Sequence, residues 1–315
     1  MQNDFNIFKT SILENNKELF NSVAKGDLHN HALLGSNRYF FSLKFPKFNL
    51  EHFANNKDIT SLTEFIKKNI VKISTTKQGQ LTLFECTILT AINDGISLLE
   101  MSVDYRLVYE VYDNQLEKYI HDLIKIKEKY KDKIKIHYDL GISRNAYKKE
   151  HDDIIMKLID SSIFNGIDIF GDELSKPIHV FKNIYKYAKK RNVKRKAHVG
   201  EFGTAYDIYE AIKTLHLNVV QHGISIINDE KIMKYAKIKN IKFNICPISN
   251  LKLCRVEDIR NHPIKKMYEY GLKITINTDD QLIFENSLFD EYSLLYREKV
   301  FTIEQLNEIR LNSLD

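Results

Sequence analysis

Cysteine is scarce in this chain of 315 residues, and the three thiols lie far apart at Cys86, Cys246 and Cys254. Three scattered cysteines are too few for a disulfide framework, so we expect buried thiols in apolar surroundings. Long apolar runs are missing as well, because no stretch approaches the ~20 residues that a membrane-spanning helix needs. The N-terminal stretch MQNDFNIFKTSILENN contains acidic residues and no apolar block of the signal-peptide type. These absences predict a cytoplasmic protein without a membrane partner.

Proline and glycine are also few, with 4 and 11 residues, and they form no linker-like stretch between two halves of the chain. With 43% hydrophobic and 28% charged residues, the composition is that of a globular protein that buries a large core. The net charge of +5 is a mild excess. Its densest basic cluster, KYAKKRNVKRK at 186–196, is predicted to be a solvated helix end, so no nucleic-acid partner is expected.

Eight short β-rich runs occur along the chain, and amphipathic segments separate the later ones. The runs are 23–34, 95–105, 133–142, 165–171, 194–201, 218–224, 241–249 and 272–280. The amphipathic segments, whose apolar residues recur at helical spacing, are 152–164, 180–190, 205–215 and 229–239, and a helix-like stretch covers 5–22. This alternation predicts parallel pairing, since parallel neighbours need a crossover connection.

The element order predicts the α/β class and a single-domain (β/α)8 barrel, the TIM-barrel fold. We expect residues 1–24 to form an N-terminal helical extension and residues 25–315 to form the barrel. The alternative is an open doubly wound sheet. No glycine-rich loop follows any of the strands, so that alternative lacks its usual binding site.

In barrels of this kind the chemistry lies at the carboxyl ends of the strands, and polar residues collect there in this sequence. His29 and His31 end the first strand, and their spacing places both imidazoles on one face, as two nitrogen ligands of a divalent cation require. His198, His222 and Asp279 end three other strands. Five ligand-type residues at one barrel mouth are hard to explain as core filling, so they predict a functional site. The other histidines are expected to have no role there: His52, His121, His137, His151, His179, His216 and His262.

Five motifs, in the order DLHNH, HVGE, QHG, CPISN and INTDD, resemble the signature series of the adenosine deaminase family of metal-dependent hydrolases. DIFGDE at 168–173 is similar to the motif of that family's fourth strand. The resemblance runs from about residue 25 to the C-terminus. It implies hydrolytic deamination of a small-molecule 6-aminopurine, converting adenosine or 2′-deoxyadenosine to inosine or deoxyinosine plus ammonia.

The same resemblance implies one zinc ion per chain, with an activated water completing its shell. The implied ligands are His29, His31, His198 and Asp279. Such an ion suits the chemistry, because displacing an aromatic amine needs a hydroxide at neutral pH and zinc lowers the pKa of a bound water to roughly 7. The metal would neutralise one of two adjacent carboxylates in INTDD, and the other would face a base edge.

Further roles follow from the resemblance for residues beside the metal. Glu201 would donate a proton to the purine N1, and His222 would lie beside the zinc-bound hydroxide and orient or deprotonate the water. The Gly171 backbone and Asp280 would be hydrogen-bond partners of the purine ring. Proton donation makes chemical sense, since attack at C6 builds charge on N1. The structural alternatives are that Glu201 caps the helix at 204–215 and that Asp280 orients a histidine ligand.

Other zinc hydrolase plans fit less well. The cytidine-type deaminases need H-x-E and P-C-x-x-C, neither of which occurs here. Binuclear amidohydrolases bridge two metals with a modified lysine at the end of strand 4, where this chain has IDIFGDE. The HxH phosphoesterases would need further histidines near the chain's end, where Asp279 and Asp280 stand. A non-catalytic nucleoside-binding barrel is disfavoured because all acid, base and ligand positions are filled.

One departure from the family pattern concerns the substrate. Adenosine deaminases of the family follow the second histidine with Leu-Asp-Gly, whereas this chain has the acid-free loop 32–36. The alternative substrates are therefore adenine and 5′-phosphorylated or N6-substituted adenosine. Loss of the acid removes a repulsion against phosphate, and Arg38 is a candidate phosphate contact. The alternative for Arg38 is that it begins a solvated helix.

Overall fold

The computed structural model describes residues 2–54 and 58–315 of the chain. Its centre is a sheet of eight parallel strands in sequence order, which confirms the predicted (β/α)8 barrel. The strands are β1 (Gly26–His31), β2 (Leu98–Asp104), β3 (Lys135–Ser143), β4 (Phe164–Phe170), β5 (Lys194–His198), β6 (Val219–Gln221), β7 (Lys242–Ile245) and β8 (Lys273–Ile276). Each falls on one of the eight predicted runs.

Side chains complete the barrel between β8 and β1, where the backbone ladder is short. One isolated parallel bridge joins β1 to Asp279. Beside it, the Leu28 N–H donates to Asn277 Oδ1 at 2.8 Å, and the Thr278 hydroxyl donates to Asp27 Oδ2 at 2.5 Å. These bonds hold the segment after β8, and with it Asp279, against the carboxyl end of β1.

Helices surround the barrel and also extend its N-terminal, β1–β2 and C-terminal segments. The helices in the described residues are α1 (Gln2–Leu13), α2 (Lys17–Asn21), α3 (Arg38–Lys44), α4 (Ile59–Asn69), α5 (Val71–Ser74), α6 (Lys77–Asn93), α7 (Leu107–Glu110), α8 (Leu116–Tyr130), α9 (Asp152–Asp160), α10 (Lys182–Lys190), α11 (Ala205–Leu215), α12 (Glu230–Ile238), α13 (Pro247–Lys252), α14 (Ile264–Glu269), α15 (Gln281–Phe284), α16 (Leu288–Arg297) and α17 (Ile303–Asn312). Within those residues, none of the helices is both long enough and apolar enough to cross a membrane.

Two predicted helices are wrong in extent. The segment 152–164 is helical only to Asp160, because Ser162 adopts a left-handed φ of 60° and the chain then enters β4. The stretch 5–22 forms two helices, α1 and α2, because Asn15 has a φ of 51° and breaks the first. In both cases a residue with a positive φ follows the helix and ends it, although the apolar spacing continues.

The N-terminal helices pack on the C-terminal part of the barrel. The Phe20 ring on α2 lies 5.4 Å from the Phe289 ring on α16, and the Phe8 ring on α1 lies 5.9 Å from the Tyr292 ring, centroid to centroid. Aromatic pairs at these distances bury large apolar areas. A division of the chain at residue 24 stays a prediction.

A helical insertion between β1 and β2, α3 to α6, was not predicted from the sequence, apart from a possible helix beginning at Arg38. Its apolar side chains pack with residues from the loops after β1, β7 and β8 in a second core, which we call the roof cluster. It includes Leu34, Phe41, Leu62, Leu83, Leu253 and Ile283. The roof cluster places α4 over the carboxyl ends of the strands, where the predicted site lies.

Lys196 contradicts the prediction that the basic cluster at 186–196 is a solvated helix end. Its side chain is fully buried inside the barrel, where the ammonium donates to Asp139 Oδ2 at 2.5 Å and also to Glu100. A buried charge is stable only when it is paired, and β2 and β3 supply the two carboxylates. Residues 189–190, at the end of α10, are exposed as predicted.

The cysteines are buried as predicted at two positions only. Cys86 and Cys246 are buried, whereas Cys254 is exposed. Cys254 has a left-handed φ of 56° just after α13, so the chain turns at the surface there. The prediction of a buried thiol is therefore wrong for Cys254.

Candidate active site

The five ligand-type residues predicted at the strand ends meet at the mouth of the barrel. His29 Nε2 lies 3.0 Å from His198 Nε2 and 3.5 Å from Asp279 Oδ1. His31 Nε2 lies 3.4 Å from the same carboxylate oxygen. The His222 ring lies 4.5 Å from the His29 ring, centroid to centroid. Four strands thus bring the whole predicted cluster together.

The cluster fits a single zinc ion. Zinc–nitrogen bonds of about 2.0–2.1 Å separate the ligand atoms of a tetrahedron by about 3.3 Å. The three distances between donor atoms, 3.0, 3.5 and 3.4 Å, lie close to that value. Imidazole nitrogen and carboxylate oxygen are ligand types that zinc accepts. The donor set therefore has the chemistry and the spacing that one zinc ion requires.

Hydrogen bonds on the far side of the imidazoles leave the ligand-type nitrogens available. His198 Nδ1 donates to the Ile169 carbonyl at 3.0 Å and lies 3.3 Å from Asp168 Oδ1. His29 Nδ1 faces the Asn244 carbonyl at 3.5 Å. An N–H held at Nδ1 leaves Nε2 unprotonated, as metal binding requires. Asp168, for which the sequence predicted no role, thus helps to orient His198.

Asp279 is held in a strained backbone conformation. Its φ is 60°, and its backbone N–H donates to the His29 carbonyl at 3.0 Å. Its Oδ2 accepts the Ser249 hydroxyl at 2.7 Å. Burial alone would raise the pKa of Asp279, but the surrounding imidazoles, His29 first, hold it well below its usual range. Asp279 is therefore ionised in the folded protein.

Asp280 has the opposite environment, although it is the next residue. Burial raises the pKa of Asp280 to about 7 against the opposing charge of His31. Its Oδ1 is buried and has no hydrogen-bond partner among the residues that the structure describes. A buried oxygen without a partner beside a cavity indicates a place for a ligand.

Gly171 reaches the same cavity at the end of β4. Its φ of 92° is a conformation that side chains rarely adopt, and a Cβ there would lie 2.7 Å from Asn145 Oδ1. The absence of a side chain allows the Gly171 backbone to border the cavity directly.

Glu201 is a buried carboxyl group near His222. Burial raises its pKa well above the usual range, and the charges of Asp279 and Glu173 add to that rise. Glu201 Oε1 lies 3.5 Å from His222 Nδ1. The cap of α11 is Thr204, which exchanges hydrogen bonds with Asp207, so the alternative of Glu201 as helix cap is excluded.

A hydrogen-bond network that the sequence did not predict holds the loop around Glu201. The Glu173 carboxylate accepts the Gly200 N–H at 2.6 Å and also the N–H groups of Phe202 and Gly203. Asn250 Nδ2 donates to Glu201 Oε1 at 2.7 Å. The DIFGDE and CPISN stretches contain these residues, and polar residues in them were the only signal available from the sequence.

A cavity of about 360 Å³ opens above the cluster. This volume lies within the range of small-molecule sites, ~300–1,000 Å³. Its wall is largely apolar where α4 contributes Leu62 and Ile66, and Phe170 adds an aromatic face. The cationic side chains of Lys67 and Arg106 also border it.

Arg38 does not border this cavity, so the candidate phosphate contact is wrong. Its guanidinium donates to the Leu50 carbonyl at 2.8 Å and to the Glu51 carbonyl, and it pairs with Glu285 at 3.0 Å. The alternative holds in part: Arg38 begins α3, with Asn37 as the cap. Through these three contacts the guanidinium joins α3 to the loops beside it.

Fold and site together define a parallel β-barrel with a metal-type His/Asp cluster at its mouth. The profile of the adenosine deaminase family matches residues 43–315, and the chain belongs to that family. A Treponema pallidum protein provisionally named adenosine/adenine deaminase is 32% identical over 287 residues, which cover 88% of this chain and 93% of that protein. The Plasmodium gallinaceum adenosine deaminase is 27% identical over 95% of this chain and 87% of its own length. The chain is therefore a hydrolase that acts on C–N bonds of adenine-type compounds.

Solved structures share the fold at lower identity. The adenine deaminase of Arthrobacter aurescens superposes with a TM-score of 0.78 at 22% identity, over 93% of this chain and 92% of that one. An amidohydrolase of Burkholderia ambifaria with bound zinc has a TM-score of 0.75 at 20% identity, over 95% and 86%. An Arabidopsis N6-mAMP deaminase has a TM-score of 0.78 at 18% identity, over 95% and 93%. These likenesses support the barrel fold.

Proposed function

We propose that this protein catalyses the zinc-dependent hydrolytic deamination of a 6-aminopurine, with adenosine or 2′-deoxyadenosine as the substrate. The observation that supports this most strongly is the surroundings of Glu201. A buried carboxyl with a raised pKa lies in the same cavity as a His/Asp cluster with zinc-like spacing. A proton donor beside a site for an activated water is what attack on a purine ring needs.

The residues that would hold the zinc ion are His29, His31, His198 and Asp279. When bound, such an ion supplies Lewis acidity and lowers the pKa of a water molecule to about 7. A zinc-containing structure with the same fold supports the choice of metal.

The protein's own side chains then carry the proton transfers. As the water oxygen bonds to C6, the ring loses its aromaticity and charge builds on N1, which takes the proton from Glu201. His222 faces the cluster with Nε2, which lies 3.8 Å from Asp279 Oδ2, and orients or deprotonates the water there. The C6–N6 bond then breaks: one proton of the attacking water goes to the amine, which leaves as ammonia, the other restores the acid at Glu201, and the ring becomes a 6-oxopurine.

Purine orientation is assigned to Asp280 and Gly171. The unpartnered Oδ1 of Asp280 and the exposed backbone at Gly171 border the cavity from β8 and β4. Hydrogen bonds from both sides of the ring would place C6 over the cluster, and positioning of this kind contributes a large part of catalysis. Apolar walls from α4 would pack against the flat ring or its N9 substituent.

A second candidate substrate is a 5′-phosphorylated adenosine, N6-substituted or not. The observation in its favour is the pair of cations, Lys67 on α4 and Arg106 after β2, that border the cavity. Arg106 is already paired with Asp104 at 2.7 Å, whereas no carboxylate in the described residues lies within ion-pair distance of Lys67. The N6-mAMP deaminase of the same fold is consistent with this candidate. Free adenine is the third, since the Treponema relative is named for both base and nucleoside.

We expect AMP to be deaminated with a kcat/KM within about a hundredfold of adenosine, a gap of ~3 kcal/mol in the activation barrier. No acid in the loop after His31 repels the phosphate, and Lys67 attracts it. Lys67→Gln should lower kcat/KM for AMP by about 3- to 10-fold and leave adenosine unchanged, as loss of one exposed cation predicts. Initial rates with both substrates measure the ratio.

The matched control is Lys68→Gln, which removes the neighbouring cation that pairs with Glu51 and does not border the cavity. It should leave the AMP-to-adenosine ratio unchanged. Good turnover of adenosine with none of AMP would contradict phosphate acceptance. If both lysine variants lowered the AMP-to-adenosine ratio equally, a specific contact between Lys67 and the phosphate would be excluded.

The proposed function is tested with a substrate panel. Zinc-loaded protein is incubated with adenosine, 2′-deoxyadenosine, adenine, AMP and N6-methyl-AMP, and ammonia or methylamine release is measured. We expect adenosine or 2′-deoxyadenosine to give the highest kcat/KM. Binding of a purine without amine release from any compound would support the non-catalytic alternative and contradict the proposal.

A further inference from the structure

Two buried side chains behind the cavity, Asn250 on α13 and His262 just before α14, form a hydrogen-bonded chain that ends on Glu201 and His222. Neither of the two borders the cavity, so both lie behind Glu201 and His222, which do. Both are buried, with 0% and 2% of their surface exposed. His262 was predicted from the sequence to have no role at the site.

The chain begins at a backbone N–H, which fixes the protonation of His262. The Ile264 N–H donates to His262 Nδ1 at 3.0 Å, so this nitrogen is an acceptor and carries no proton. Burial lowers the pKa of His262 to about 3, so the ring is neutral at physiological pH. A neutral imidazole without a proton on Nδ1 carries it on Nε2.

His262 in turn fixes the orientation of the Asn250 amide. His262 Nε2 lies 3.2 Å from Asn250 Oδ1, so the ring N–H donates to the amide oxygen. The amide nitrogen must then point the other way, towards the catalytic pair. Its two hydrogens have two acceptors there: Glu201 Oε1 at 2.7 Å and His222 Nδ1 at 3.3 Å.

We infer that Asn250 and His262 are positioning residues that set which oxygen of Glu201 and which nitrogen of His222 carry the proton in the resting enzyme. Because Glu201 Oε1 accepts from Asn250, the acidic proton is on Oε2. Because His222 Nδ1 accepts from the same amide, the ring proton is on Nε2, the nitrogen that faces the His/Asp cluster. The inference rests on the proposed function for the meaning of these protons.

These proton positions decide between the two roles that the sequence allows for His222, orienting the water or deprotonating it. A ring that already carries its proton on Nε2 cannot accept another there while it stays neutral. His222 therefore enters the reaction as a hydrogen-bond donor that orients the water, and Glu201 Oε2 is the group that delivers a proton to N1. If Asn250 and His262 served packing alone, the proton positions on Glu201 and His222 would not depend on them.

Two variants of His262 separate positioning from packing. Glutamine can place an amide N–H near the position of Nε2 and so still donate to Asn250. Asparagine is shorter and can replace Nδ1 as the acceptor of the Ile264 N–H, but it does not reach Asn250. We expect His262→Gln to retain kcat within about threefold, and His262→Asn to lower kcat by about 10- to 100-fold with KM and zinc content unchanged.

Equal activity of the two variants, whether both are normal or both impaired, would overturn the inference. If His262→Asn fails to fold, Asn250→Asp provides the same test, since it keeps the size and the acceptor for His262 but loses the donor to Glu201. It should lower kcat at least tenfold.

The groups that face Glu201 are Asn250, His222, Asp279, Glu173 and Arg255. A second carboxylate beside Glu201 should also shift the basic limb of the kcat/KM profile to higher pH; an unchanged rate and profile would overturn the inference.

Nitrogen-15 NMR of the imidazoles provides a readout that does not depend on activity. In the zinc-loaded protein, long-range proton–nitrogen correlations should show His262 and His222 both protonated on Nε2 only. A proton on Nδ1 of either ring would overturn the inference. If the tautomers are as expected and no 6-aminopurine is deaminated, the proposed function fails instead, so the two failures are distinguishable.

Discussion

Replacement of Glu201 by glutamine is expected to lower turnover by ~10²–10⁴, the usual contribution of general acid catalysis, while the zinc content stays at one per chain. Glutamine keeps the size of the side chain and still donates a hydrogen bond, but it cannot give a proton to N1. The Asn250 contact at 2.7 Å can persist, because the amide oxygen of glutamine can accept it. The loss should fall on kcat, measured by ammonia release at saturating substrate.

The pH profile adds a second test for Glu201. The group must be protonated to act, and burial raises its pKa well above the usual range. Activity should therefore persist at pH values where an ordinary glutamic acid is ionised, and decline as the pH rises through the raised pKa. The basic limb due to this group should disappear in Glu201→Gln.

The matched control is Glu257→Gln, an exposed glutamate that lies outside the cavity. It should leave both kcat and the pH profile unchanged. A normal rate in Glu201→Gln would show that another group protonates N1. Loss of zinc from that variant would show that Glu201 acts through the metal site and not as the acid.

Replacement of His198 by alanine should abolish activity and reduce the zinc content from about one to near zero per chain. His198 Nε2 lies 3.0 Å from His29 Nε2, so it belongs to the same donor set, and its loss removes one of four ligands. Because the ligands come from β1, β5 and the segment after β8, bound zinc also stabilises the fold. Added zinc should raise the melting temperature of the wild type but not that of the variant.

The control for this prediction is His121→Ala, which removes an exposed histidine on α8. It should retain zinc, activity and the zinc-dependent shift in melting temperature. Elemental analysis of the wild type with no metal, or with two metals per chain, would contradict the mononuclear site. Full zinc content in His198→Ala would exclude His198 as a ligand.

The barrel could be predicted because each strand carries its own local signal. Runs such as 272–280 combine alternating apolar residues with a polar end, and parallel pairing follows from the helices between them. The cluster was predictable for the same reason, since His29, His198 and Asp279 occupy equivalent positions at strand ends. Topology then brings residues that are far apart in sequence to one mouth.

What could not be predicted depends on contacts between distant segments. Lys196 reads as one more cation in a basic run, because its partners Glu100 and Asp139 lie on other strands about 57 to 96 residues away. Arg38 follows a loop over the site and so resembled a phosphate contact. Its carbonyl partners at 50–51 are visible only once the insertion has folded.

The positioning residues gave the weakest signal. Asn250 stood in a recognised motif without a role of its own, and His262 stood outside every motif. Their importance comes from hydrogen-bond direction, which starts at the Ile264 N–H and reaches Glu201 through two side chains. Residue type and spacing along the chain do not encode such a direction.

The most direct test of hydrolytic deamination is turnover in water enriched in oxygen-18. Zinc-loaded protein is mixed with adenosine or 2′-deoxyadenosine, and the product is analysed by mass spectrometry together with the ammonia released. Attack of water at C6 predicts one oxygen-18 atom on C6 of each 6-oxopurine and one ammonia per product molecule. Product without the label would contradict hydrolytic deamination. So would the absence of ammonia release from all four compounds: adenosine, 2′-deoxyadenosine, adenine and AMP.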